Sequence, residues 1–216
     1  NTGASMSLAT LGVTLNKDDE NTIYIPLESQ RPSGTALIFR ATHQGKDFFL
    51  LGEVWGGDRE SLDPWFVNDE MDAGFDFGFQ GNALAWALGR GRTVAFDAYL
   101  RSRHKVRKGY HLSHFLSSHD VPGLLFQLQG DKPRFRLAAA LQLTTSGIPV
   151  IYYGEEVGRP GGDWPANRSD MPWGERAVQP GAGLPRDEAL RDFYRELIAV
   201  RRARLLSMLV LALAML

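Results

Sequence analysis

The chain has 216 residues, a net charge of −1, 44% hydrophobic and 23% charged side chains, and no cysteine. Charge this near zero argues against general electrostatic capture of nucleic acid or anionic lipid. The absence of cysteine excludes disulfides, thiolate catalysis and cysteine-ligated zinc, and the length fits one substantial domain or a large piece of a bigger one.

In chain order, Asn1 to Ser33 is poorly periodic and lacks both an initiator Met and a basic-then-apolar leader, so it reads as the middle of a longer chain. Lys17 to Asn21 reads as a polar loop, and Thr22 to Leu27 as a short strand interrupted by Pro26. Residues 1–34 form a poorly patterned segment ahead of a domain of regular strand and helix pattern over 35–204, followed by an apolar tail over 205–216. Thr35 to His43 reads as a short helix with Leu37, Ile38 and Ala41 on one face and Gly45 as its stop. Phe48 to Trp55 (FFLLGEVW) begins as a continuous apolar run, the pattern of a strand buried on both faces.

Asp72 to Phe79 alternates aromatic with small or polar residues, as a short strand does. Asn82 to Leu100 has helical periodicity with a weak point at Gly89 and Gly91. The basic run Arg101 to Lys108 reads as a solvated helix end. His111 to Leu116 is a strand candidate, Pro133 to Thr145 a helix with Pro in its first turn, and Pro149 to Tyr153 a β-branched and aromatic strand. Gly154 to Gly183 is a long Gly- and Pro-rich loop, a length usually reserved for function. Asp187 to Arg204 is an amphipathic helix with acidic residues at its start and arginines at its end. Leu205 to Leu216 is too short for a membrane span and reads as buried helix or artefact. Strands alternating with helices define an α/β protein with a parallel sheet, and about four βα units fit, roughly half of an eight-unit barrel.

Two strand candidates end in carboxylates. Glu53 follows the apolar run, where a charge needs partners or a task, although a surface carboxylate ending a strand is the competing reading. Asp120 closes Phe115-Leu-Ser-Ser-His119-Asp120, where His119 and Asp120 either grip hydroxyl groups above the sheet or cap the next helix. No Gly-x-Ser-x-Gly elbow supports a serine triad, no histidine pair has metal-ligand spacing, and no Gly-rich phosphate loop follows a strand. Two carboxylates from separate strands of one sheet are the elements of glycoside hydrolysis.

The chain resembles the catalytic domain of the α-amylase family of glycoside hydrolases. Gly52-Glu53-Val54-Trp55 is similar to the family's fifth-strand motif, and Phe115 to Asp120 to its seventh-strand motif. Gly147 to Glu156 (GIPVIYYGEE) is similar to the eighth-strand signature, and Asn167-Arg168 with Met171-Pro172-Trp173 to the loop that follows it. The resemblance implies a (β/α)8 TIM-barrel catalytic domain, here about its last four βα units. It implies that Glu53 is the general acid/base, that Asp120 stabilises the transition state, and that His119 holds the sugar at the cleavage site. Geometry alone would also allow Asp120 as nucleophile, since a retaining pair needs only ~5–5.5 Å between carboxyls, but the resemblance assigns it the supporting role. Trp55 either stacks on a sugar ring or packs under the loop, and Asp163 with Arg168 either bind a further glucose unit or serve loop polarity.

The family's nucleophile motif, Phe-Arg-x-Asp-Ala-x-x-x-His, finds no match in residues 1–44, where Phe39-Arg40-Ala41-Thr42 shares two letters and lacks the Asp. The excursion domain that often binds calcium is likewise unmatched, so no cofactor is expected in this chain, and any calcium the resemblance implies falls to the rest of the parent enzyme. The expected partner is an α-glucan or malto-oligosaccharide, with neither nucleic acid nor membrane. Self-association through an exposed half-barrel is also expected. The expected chemistry is retaining hydrolysis of α-1,4-glucosidic bonds by the intact enzyme. The alternatives are a non-catalytic remnant that binds sugar or another chain, or a transglycosylase of the same family.

Overall fold

The structure, a computed structural model, describes residues 14–16, 19–24, 42–43, 46–47, 49–67, 71–176 and 178–214, with side chains over 49–67, 71–176 and 178–203. The chain divides into two units, Asn1–Ile38 and Phe39–Leu216. In the first, β1 (Thr14–Asn16) pairs antiparallel with β2 (Asp19–Tyr24), so the strand begins at Asp19, inside the stretch read as a polar loop.

The second unit opens with another antiparallel pair, β3 (Thr42–His43) and β4 (Lys46–Asp47). The helix expected over Thr35 to His43 therefore does not reach its end; residues 35–41 lie outside the described set. Only two residues, Gln44-Gly45, separate these strands, and a Gly in so short a connection favours a hairpin over a helix stop.

Four parallel strands follow: β5 (Leu51–Gly52), β6 (Ala73–Asp76), β7 (His111–Phe115) and β8 (Ile148–Val150), in the spatial order β5-β6-β7-β8. β5, β6 and β7 each lie within a stretch expected to be a strand, whereas β8 starts one residue before the expected Pro149 to Tyr153 and ends at Val150. The connections carry α1 (Arg59–Val67), then α2 (Phe77–Ala87) and α3 (Thr93–Ser102), then α4 (Leu124–Gln127) and α5 (Lys132–Thr144). After β8 comes a long loop with two 3-10 turns, Glu155–Val157 and Ala166–Arg168, and then α6 (Glu188–Ala214). That helix runs through most of the apolar tail, and no helix among the described residues is long and apolar enough to cross a membrane.

The strand carrying Glu53 is not buried on both faces. It is the end strand of the four, its ladder is two residues long, and Phe49 and Leu51 are 56% and 44% exposed. Among the described residues it has one neighbouring strand, and a strand so placed loses cover on its other side, so an apolar run does not by itself guarantee burial. The strand expected over Asp72 to Phe79 stops at Asp76, because the Asp76 side chain accepts the Phe79 amide at 2.9 Å and starts α2 there. The Asn82 to Leu100 pattern splits into α2 and α3 around Gly89, whose φ is +72°. Asp131 caps α5 through the Arg134 amide at 3.1 Å, with Pro133 in the first turn.

The helices cover one face of the sheet. Phe79, Phe96, Leu124, Phe135, Leu190 and Tyr194 are buried in one cluster that joins α2, α3, α4, α5 and α6. Leu62 and Phe66 of α1 pack with Met71 and Leu112 in a second. Here Gly74 is required by close approach: a Cβ on it would sit 2.4 Å from the Leu62 side chain. Strand register places Asp76 beside His114 and Phe75 beside Ser113, so the polar pair and Phe75 face opposite sides of the sheet.

Candidate active site

Parallel strands bring their carboxyl-terminal ends to one side, and the expected site residues leave from there. Glu53 directly follows β5 and is exposed. Trp55 follows in a turn closed by the Gly57 amide on the Val54 carbonyl at 2.8 Å. Its ring is 5.0 Å from Phe77, which is 5.1 Å from Phe115, so an aromatic file runs across the ends of β5, β6 and β7. Trp55 thus packs on one side and still leaves 67% of its surface exposed.

Two strands away, His119 and Asp120 lie four and five residues beyond β7. The ladder no longer holds them, and their order comes from side chains. Asp120 Oδ2 lies 3.0 Å from His119 Nε2, and Asp120 Oδ1 accepts Arg168 Nη2 at 3.1 Å. Asn167, 2% exposed, donates its amide to the His119 carbonyl at 2.6 Å. Downstream, the Gly123 amide meets the Gly161 carbonyl at 2.6 Å, an approach so close that a Cβ on Gly123 would lie 2.2 Å from the Pro160 carbonyl oxygen.

The loop making these contacts is itself anchored. Arg159, 6% exposed, sits over the Tyr153 ring at 4.1 Å and the Tyr152 ring at 4.9 Å. It donates to the Tyr153 carbonyl at 2.9 Å and to the Asn167 carbonyl at 3.1 Å. Glu155, 4% exposed, accepts a hydrogen bond from the Ser117 hydroxyl and another from the Tyr152 amide at 3.1 Å. Burial pushes its carboxyl up to about 7 against those two hydrogen bonds, which favour the ionised form.

The structure thus brings His119, Asp120 and Arg168 together and sets Glu53 and Trp55 at the same end of the sheet. Asp163 stands apart: its carboxylate accepts the Trp164 amide at 2.8 Å and its carbonyl the Asn167 amide at 3.1 Å, both local turn contacts. Among the described residues, no group of three or more His, Asp or Glu side chains is placed to hold a metal ion.

Sequence reasoning missed the tie from Asn167, the anchor at Arg159, and a buried network on the helix side of the sheet. There Arg103, 2% exposed, donates Nε to Asp76 at 2.6 Å, Nη1 to the Ser146 carbonyl at 2.9 Å and Nη2 to His114 Nδ1 at 3.0 Å. His114 Nε2 lies 2.7 Å from the Gln142 carbonyl, so the ring is neutral with its proton on Nε2. Burial first, then the Arg103 charge, lower its pKa to about 3. The basic run is therefore not uniformly a solvated helix end, since one of its members turns inward to a buried carboxylate. A signal existed in Asp76, an acid set among aromatic residues at the end of a strand.

Parallel strands alternating with helices, with polar residues gathered at the carboxyl ends, define part of an α/β barrel enzyme fold. Residues 30–201 match the family model described as "Alpha amylase, catalytic domain". The chain belongs to the α-amylase family, and its four-stranded parallel sheet is part of that family's TIM barrel. It is 32% identical over 159 residues to neopullulanase 2 of Thermoactinomyces vulgaris, covering 72% of this chain and 25% of that protein. It is 33% identical over 168 residues to a cyclomaltodextrinase of Bacillus sp, covering 73% and 27%. Among solved structures, the α-amylase from H. orenii superposes with a TM-score of 0.60 at 28% identity, covering 74% of this chain and 37% of that one. The cyclic α-maltosyl-(1→6)-maltose hydrolase of Arthrobacter globiformis, in complex with maltose, gives 0.60 at 27% identity, covering 71% and 33%. The chain spans about a quarter of the length of the curated relatives it matches.

Proposed function

We propose that these 216 residues carry the carboxyl-terminal half of the catalytic barrel of a retaining glycoside hydrolase that cleaves α-1,4-glucosidic bonds of starch or malto-oligosaccharides. The observation that carries this reading is the placement of Glu53 and the His119-Asp120 pair beyond two parallel strands, β5 and β7, at one end of one sheet. The family's activity and the relatives named neopullulanase and cyclomaltodextrinase support an α-glucan substrate. In this reading Glu53 protonates the glycosidic oxygen, and Asp120 with His119 holds sugar hydroxyls and stabilises the positive charge that develops on the ring. Trp55 offers an apolar face to a sugar ring, and Arg168 borders a further glucose unit.

The nucleophile is the absent partner, because residues 1–44 hold no Phe-Arg-x-Asp-Ala-x-x-x-His motif. The chain by itself then releases no reducing sugar from soluble starch. Activity that disappears in Glu53→Gln would overturn this and mean that another carboxylate substitutes. In a longer protein supplying the nucleophile Asp, Asp120→Asn lowers turnover by orders of magnitude, and near-normal rates there would remove the role given to Asp120. Product analysis on that protein separates hydrolysis from glucosyl transfer.

The same missing motif favours a second reading, a non-catalytic chain that binds sugar or associates with another chain. The exposed Phe49 and Leu51 on the end strand support self-association through that edge. Sedimentation at rising protein concentration tests it, and a monomer throughout would exclude it.

A further inference from the structure

We infer that Asn167 is a positioning residue for the His119-Asp120 pair, holding it in place through the His119 carbonyl; this rests on the sugar-binding reading of that pair. The strand ladder ends at Phe115, so whatever fixes residues 119 and 120 must come from elsewhere. The exposed contacts are weak candidates. Arg168 and Asp120 have side chains 44% and 31% exposed, and pairs in that setting contribute about 0–1 kcal/mol.

The Asn167 contact is of another kind. Its donor residue is buried, and the contact, partly shielded from water, ties two dipeptides 48 residues apart in sequence: Asn167 grips the backbone of His119 while Arg168 meets the carboxylate of Asp120. A hydrogen bond shielded from water is stronger electrostatically than one in the open. Asn167 is in turn immobilised at its own carbonyl, which accepts Tyr152 Oη at 3.0 Å and Arg159 Nη1 at 3.1 Å. The result is a continuous relay from the end of β8, through the tyrosine rings and Arg159, to the segment beyond β7.

The residue type follows from the chemistry. The His119 carbonyl accepts only, so the atom facing it must donate. An amide does so without bringing a charge into a buried place, whereas a carboxylate of the same shape turns the contact into repulsion between two acceptors.

The test uses the full 216-residue chain and maltoheptaose as probe, with affinity by calorimetry and folding by thermal unfolding. Asn167→Asp should weaken maltoheptaose binding about tenfold, equivalent to ~1.4 kcal/mol. In an Asp120→Asn background the same change should alter affinity by less than about twofold, because the residue acts through the pair. If Asn167→Asp does not fold, Asn167→Ser is carried through the same cycle with the same expectation. Wild-type protein that binds no maltoheptaose at millimolar concentration overturns the sugar-binding reading and this inference with it. Wild-type binding that survives Asn167→Asp or Asn167→Ser unchanged leaves that reading standing and overturns the inference alone. Equal weakening in both backgrounds also overturns it, since Asn167 would then act on the loop at large.

Discussion

The sheet carries two sets of polar side chains under opposite conditions. Asp76, Arg103, His114 and Gln142 lie on its helix-covered side, at most 2% exposed, and their charged or ring groups are hydrogen-bonded to one another or to backbone carbonyls. Glu53, His119, Asp120 and Arg168 lie past the strand ends and are exposed. The charged and ring groups of the first set have turned their hydrogen-bonding capacity inward, as buried charge demands. The second keeps capacity for something outside the chain. Charge alone does not distinguish a site from a structural brace; what separates them is how much of that capacity remains open.

The sharpest way to break this comparison is to remove one partner from each set. Arg103→Leu strands the Asp76 carboxylate without its counter-charge and should cost about 3–5 kcal/mol, read by urea or thermal unfolding. A loss no greater than that of Arg168→Leu would erase the distinction.

The next effect is one of pH. Because the folded His114 pKa is lowered to about 3 from 6.5, the unfolded chain takes up a proton that the folded one refuses. The stability tied to this group is complete above pH 6.5 and drains away as pH falls toward 3, by about 4 kcal/mol. His114→Gln should flatten that part of the stability profile, and an unchanged slope would place the ring in water.

Glu155 has the opposite sign. Its folded pKa is raised from 4.5 to about 7, so its contribution is complete below 4.5 and is lost as pH rises toward 7. Glu155→Gln keeps the shape and removes the titration. It should stabilise the chain above pH 7 by about 2 kcal/mol, and destabilisation there would mean that the ionised carboxylate is wanted. Smallest of all, Glu53→Gln and Asp120→Asn should shift stability by no more than about 0.5 kcal/mol while leaving the fold intact by circular dichroism. A large loss in either would move that residue from the open set to the brace.

What was legible in the sequence was what is local. The strands at β6, β7 and β8 and the helices α5 and α6 show themselves through periodicity, caps and turn residues within a dozen positions. The carboxylates at strand ends were visible because a charge after an apolar run is conspicuous. The failures are tertiary. Helix α1 is short and contains Pro64, so its Leu62 and Phe66 stripe gives no legible helical period. Nothing in a run of five Lys and Arg residues tells which one turns inward; Asp76, 27 residues earlier, decides that it is Arg103. The Asn167 amide finds its acceptor 48 residues away, beyond the reach of any window. The apolar run before Glu53 failed in the other direction, since burial depends on neighbours that the run itself does not specify.

One carboxylate has a wider reach than its size suggests. Asp76 ends β6, caps α2 through the Phe79 amide, receives the Tyr99 hydroxyl from α3 and holds Arg103 beneath β7. A strand boundary, a helix start and the docking of two further elements therefore share a single atomic junction. The stretch from β6 to β7 is accordingly a cooperative unit, whose parts gain or lose protection from solvent exchange together. The floor beneath the aromatic file is held through that one junction, and the loops that carry Glu53, His119 and Asp120 lie beyond the strand ends, outside it.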